Sequence, residues 1–222
     1  MAGTSIDGGQ EFSDQSQLVD AQVELTRGRI RFALAHRERK ATGEDGLLQE
    51  WPEEFFQAEE IVAARMQATL DAGIQLPLAW LERRLGLGVP ELRLIWVLLT
   101  HEMCAVARGL LRQLNTENCA DPTTDTICLV AFGPGNHADA SRLLAPSSAL
   151  VRGGLIERTD PEPNAADHRK TWKVARRILA LAHHDLSLDP ELFRLASVVQ
   201  PDDTTLGIAG EGIEADPKPC PR

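Results

Sequence analysis

Residues 85–114 read LGLGVPELRLIWVLLTHEMCAVARGLLRQL, and this stretch decides the fold. Leu92, Leu94, Ile95, Trp96, Val97, Leu98 and Leu99 crowd one short segment, interrupted only by Arg93. A helix that is apolar all round is buried all round, so the run reads as a central core helix. Pro90 suits its first helical position, where a missing N–H costs nothing. Glu91 puts negative charge near the positive end of the helix dipole. A fully buried strand is the rival, because periodicity does not separate the two in a short run. The run is too short to span a bilayer, which takes about 20 apolar residues. Met103, Ala107, Leu110 and Leu114 then recur at helical spacing, with Arg108 and Arg112 on another face. They predict a second, amphipathic helix packed on the first.

The whole chain has 222 residues, enough for one good core. It is 43% hydrophobic and 25% charged, the balance of a globular protein. Its net charge of −10 lies on the flanks: residues 1–74 and 186–222 are acidic, and 75–185 are close to neutral. Non-specific nucleic-acid binding needs many Lys and Arg to displace counterions, and this balance argues against it. The cysteines are Cys104, Cys119, Cys128 and Cys220, with no CxxC pair among them. The start, MAGTSIDGGQEF, lacks the basic and apolar regions of a signal peptide. A reducing cytoplasm is the expected compartment, with no membrane partner.

Outward from the apolar stretch, residues 1–17 are polar and glycine-rich, the composition of a flexible tail. From Leu18 to about Lys40 a narrow stripe of Val19, Val23, Thr26, Ile30 and Ala33/Leu34 predicts a long helix. Its second half carries Arg27, Arg29, Arg31, Arg37, Arg39 and Lys40. This is a solvated helix with an apolar seam or, more weakly supported, a docking or coiled-coil helix. Thr42–Gly46 breaks it. Pro52-Glu53-Glu54 opens another helix to about Ala72, with Phe55, Ile61, Val62, Met66 and Leu70 inward. Pro77 opens a short helix to Leu85, and Gly86 and Gly88 bracket the turn into the central one.

On the other side, a loop over 115–120 leads to a helix capped by Asp121 or Thr123, which holds Ile127, Leu129, Val130 and Phe132 and stops at Gly133-Pro134. Asn136–Ala145 is the next helix. Ser147–Gly154 reads as one helical turn ended by glycine. Leu155–Thr159 and Thr171–Val174 are strand-like, separated by the turn cluster Asp160–Asn164, and form a hairpin with a long tip. Helices follow over Ala175–His183, with Ile178, Leu179 and Ala182 inward, and from Asp189 to Pro201. Residues 202–222 read as a tail or linker.

No stretch carries a catalytic, cofactor or metal motif. His101-Glu102 begins like H-E-x-x-H but lacks the second histidine a zinc site of that type needs, so a role at a helix end is expected. His183-His184-Asp185 points to different helix faces, and the dipole at a helix C-terminus accounts for it. Ala131-Phe132-Gly133-Pro134-Gly135-Asn136 contains glycines but no lysine, and carries a proline where a phosphate loop would not.

Four pieces in order carry a resemblance: LERRLGLGVPELRLIWVLLTHE, DPTTDTICLV, SSALVRGGLIERTD and VARRILALAHHD. Together they resemble the variant winged-helix region found N-terminal to the ATPase domain in a family of bacterial AAA+ ATPases, some associated with contractile injection systems. The resemblance covers about Pro77 to Pro201. It implies a fold that is mainly α with a small β-hairpin, a winged-helix-like domain over 75–200. An N-terminal helical region over 18–74 precedes it, and flexible segments flank the whole over 1–17 and 201–222. ATP hydrolysis does not carry over, because G-x-x-x-x-G-K-[ST] is missing and no Gly-Lys pair exists in the chain.

A winged helix that binds DNA sets its wing on phosphates and a helix in the major groove. The basic residues Arg158, Arg169, Lys170, Lys173, Arg176 and Arg177 would gather on the wing and the helix after it. The helix that would read bases, Asn136–Ala145, offers Asn136, His137, Ser141 and Arg142, but also Asp139. A protein-facing surface is the preferred expectation for the basic group, with DNA contact and an ordinary solvated face as the others. The chain is thus expected to be a non-enzymatic, protein-binding regulatory module that uses no cofactor. By resemblance its partner is an AAA+ ATPase motor or that motor's substrate. The alternative is a winged-helix DNA-binding transcriptional regulator.

Overall fold

The computed structural model describes residues 11–43, 51–115, 119–134, 141–159 and 166–187. The chain divides into two compact units, Met1–Leu186 and Ser187–Arg222, and only Ser187 of the second is among the described residues. The tip of the hairpin at 160–165, most of the helix expected over Asn136–Ala145, the last helix from Asp189, the tail over 201–222 and the first ten residues lie outside them.

The apolar run is a helix, not a strand. Helix α4 spans Val89–Met103 and buries every residue from Leu94 to His101. Pro90 stands in its first turn, one position later than expected, behind the cap residue Gly88. The chain bends by 116° at Cys104 into α5, Ala105–Leu114. The buried seam of α5 is Ala107, Leu111 and Leu114, while Met103 closes α4 and Leu110 is half-buried. Among the described residues no single helix is long and apolar enough to cross a membrane.

Helices α1 (Gln15–Ala41) and α6 (Thr124–Phe132) pack against α4, α2 (Glu53–Asp71) packs on α1, and α3 (Pro77–Leu85) precedes α4 in the chain. Helix α1 starts at Gln15, three residues ahead of the expected Leu18, because Asp14 caps it by accepting from the Gln17 N–H. Phe12 is also buried, against Leu18, Val62, Leu76 and Ala79. The flexible tail expected over 1–17 therefore does not include Phe12 to Gln17: an aromatic ring and a cap hold them. Val19, Ile30 and Ala33 of α1 share one core with the α4 run and with Trp51, so the N-terminal helices complete the same core as the rest. Trp51 meets Phe32 and Phe55 at ring separations of 5.1 and 5.3 Å.

The basic half of α1 is only partly solvated. Arg29 is 4% exposed, and Arg37 donates to the Gln113 and Leu114 carbonyls at the end of α5. A guanidinium there satisfies orphan carbonyls at the negative end of a helix. Helix α2 is shallower than its stripe suggested: Val62 and Thr69 are buried, and Phe55, Ile61, Met66 and Leu70 are half-buried. Helix α3 ends at Gly86, whose φ of 62° places it in the left-handed region that glycine enters without cost.

Among the described residues there follow a single helical turn, α7 (Ala149–Arg152), a two-stranded antiparallel sheet of β1 (Ile156–Arg158) and β2 (Trp172–Val174) with a 3-10 turn at Asp167–Arg169 between its strands, and α8 (Arg176–Ala182). Ile156 pairs with Val174, Glu157 with Lys173 and Arg158 with Trp172. The chain is therefore mainly helical with one small hairpin, as the sequence implies.

Candidate functional site

The hairpin is built to project. Ser148 caps α7 by accepting from the Val151 N–H, and Gly154, at φ 62°, turns the chain into β1. Ile156, Trp172 and Val174 face the core, while Glu157 and Lys173 face out, which is the period-two alternation of a half-buried strand.

The base of the hairpin is fastened to α6. Thr123 forms a β-bridge with Thr171. The Thr124 N–H donates to the Lys170 carbonyl at 2.8 Å, and the Trp172 N–H to the Pro122 carbonyl at 3.1 Å. Trp172 Nε1 donates to Thr124 Oγ1 at 3.0 Å. Of the two caps the sequence offers, Asp121 and Thr123, it is Thr123 that caps α6, its hydroxyl accepting from the Thr126 N–H. Asn115, buried just behind, donates to the Cys119 and Asp121 carbonyls at 3.1 and 3.0 Å and accepts from Thr126 Oγ1 at 2.7 Å.

The six basic residues fall on this hairpin and the helix behind it, and two of them, Lys170 and Lys173, are matched by acids. Lys173 Nζ lies 3.2 Å from Glu157 across the strand pair. Lys170 is paired with Asp167, one helical turn back. The Lys170 hydrogen bond and charge, with Arg158 adding its own, hold the Asp167 carboxyl below the usual carboxylate range. Arg158 and Arg169 are exposed, and Arg176 and Arg177 open α8. Among the helix residues proposed to read bases, Asn136 and His137 lie outside the described residues. The hairpin surface is thus mixed in sign, not a cationic strip.

A second exposed surface was not singled out in the sequence. Trp80 on α3 is 64% exposed, and Leu85 and Val89 flank the α3–α4 turn with 46% and 55% exposure. Three large apolar side chains are thus exposed within ten residues of one another in the chain. The signal was present as Trp80 beside Leu81 on a helix too short to bury both. Behind this corner a cavity of about 340 Å³ runs between α1, α2, α3 and α4. Leu78, Leu92, Ile95 and Trp96 line it with Glu82, whose carboxyl is pushed up by burial.

Compared with known families, the chain matches the winged helix domain, variant, over residues 10–195. No curated protein and no solved structure matches it.

Proposed function

Because the chain belongs to the variant winged helix domain family, we propose that it is a protein-binding regulatory module that works by surface recognition, with no covalent chemistry of its own. The partner we infer is an AAA+ ATPase motor or that motor's substrate, as the resemblance of residues 77–201 implies, and the compartment is the cytoplasm. The observation that carries the protein-binding choice is the pairing within the hairpin. Lys173 with Glu157 and Lys170 with Asp167 neutralise charges that a phosphate-gripping wing would leave free. The net charge of −10 adds long-range repulsion from a nucleic acid. The exposed Trp80–Leu85–Val89 corner supplies the apolar anchors that a protein partner uses.

The test is duplex binding followed by fluorescence anisotropy over a salt series. No binding at low salt is the expected result. Tight binding that falls steeply with salt and prefers one sequence would establish the DNA-binding regulator instead. A second arm tests the motor: the intact mass of the native protein is measured in its source cells. A mass well above 24.3 kDa places the motor in the same polypeptide, and a mass near it requires a separate partner.

A further inference from the structure

His101 lies in the last turn of α4, and Asp121 lies beyond α5, just ahead of α6. The fold brings His101, Glu102 and Asp121 together, so that one ligand atom from each lies within 4.8 Å of the others. His101 is 4% exposed, and its Nε2 is 3.2 Å from the Ala120 carbonyl oxygen. A carbonyl only accepts, so the hydrogen sits on Nε2. In a neutral imidazole Nδ1 then presents a lone pair, and it faces Glu102 Oε1 at 3.4 Å. The Asp121 carboxylate completes the group. Three potential ligand atoms thus converge, with the other ring nitrogen of His101 already engaged by Ala120, an arrangement that a cation can bridge.

We propose that His101, Glu102 and Asp121 bind one divalent ion of the zinc type, through His101 Nδ1 and one oxygen of each carboxylate, with water completing the shell. Imidazole with carboxylates is a donor set that zinc accepts, and three protein ligands leave a position for water. The second shell is already in place. A metal-bound histidine commonly donates its other N–H to a backbone carbonyl, as His101 does to Ala120. Asn115 holds the carbonyls of Cys119 and Asp121, so the Asp121 backbone is positioned without the ion. The ligands His101 and Glu102 stand at the C-terminal, negative end of α4, which favours a cation. Arg108, the nearby cation, donates to the His101 and Glu102 carbonyls and not to the ligand carboxylates. The Glu102 side chain is 30% exposed and gives an ion a way in. Bound there, the ion would clamp the end of α4 to the turn that leads into α6.

The experiment is calorimetric titration of the whole chain with Zn²⁺ near neutral pH, with long-range ¹H–¹⁵N NMR of the histidine rings. One site is expected, with a Zn²⁺-dependent shift at His101 Nδ1. Asp121→Asn and Glu102→Gln, which keep side-chain shape, should each weaken binding by at least about tenfold. A double substitution, His183→Ala with His184→Ala, should leave it unchanged. A His101 ring whose nitrogen signals ignore saturating Zn²⁺ would overturn the proposal. So would an affinity that survives Asp121→Asn, or one that disappears with His183 and His184.

Discussion

Glu59 of α2 takes a hydrogen bond from Arg29 of α1 at 2.6 Å, and Arg93 of α4 closes the same carboxylate from the other side with its Nε at 2.8 Å. One carboxylate thus ties three helices, and Arg93 also lies over the Phe56 ring, 5.4 Å from its centroid.

Breaking this group leaves two guanidinia facing each other, one of them buried. Glu59→Gln should cost about 3–5 kcal/mol of unfolding free energy, the usual penalty for removing one partner of a buried ion pair. Urea denaturation measures it, and a loss below about 1 kcal/mol would show that the group is solvated in solution.

The same carboxylate sets an acid limit. Burial alone would raise the Glu59 pKa, but the Arg93 hydrogen bond and the Arg29 charge outweigh it and hold the group below its ordinary value. A depressed folded pKa contributes stability that is fully present above the unfolded value of about 4.3. It is lost as pH falls through the lower, folded value. Stability of the native chain should therefore fall across that acid window, and the fall should be shallower in Glu59→Gln.

Trp96, 8% exposed and in the middle of α4, tests the core. Trp96→Ala should cost about 3–5 kcal/mol. A near-neutral result in the same urea experiment would contradict the central placement of α4.

The cysteines should separate by reactivity. Burial, with the charge of Asp125 adding to it, pushes the Cys128 thiol up to about 12, whereas Cys104 and Cys119 are only half-buried. The thiolate is the reactive form. Iodoacetamide at neutral pH should leave Cys128 unmodified in the native protein and label Cys104 and Cys119. Peptide mass spectrometry reads the sites, and Cys128 should label only in denaturant.

Most of the fold was legible because local signals agreed. The Leu92–Leu99 run, Gly86 before α4, Thr123 before α6 and Gly154 before β1 each carry their structural meaning in the residue itself. The candidate sites were less legible because they depend on distance in the chain. Arg29 and Arg37 read as ordinary helix charges, since neither Glu59 nor the end of α5 is nearby in sequence. His101 and Glu102 were visible as a pair, but Asp121 joins them only through the bend at Cys104 and the loop that Asn115 organises. The acids that neutralise Lys170 and Lys173 were in plain view. Lys173 meets Glu157 only through strand register, and Lys170 meets Asp167 only through a local helical turn, neither of which composition gives.

The fastening of the hairpin to Thr123 and Thr124 has a mechanical consequence. A flap moves on a free hinge, whereas here Pro122, Thr123 and Thr124 are bonded along one strand, and Trp172 is pinned to the first turn of α6. A pull on the hairpin is delivered to α6 and from there to the apolar run of α4 that α6 packs against. The base of the hairpin is thus part of the core's own frame, so β2 cannot shift without disturbing the first turn of α6.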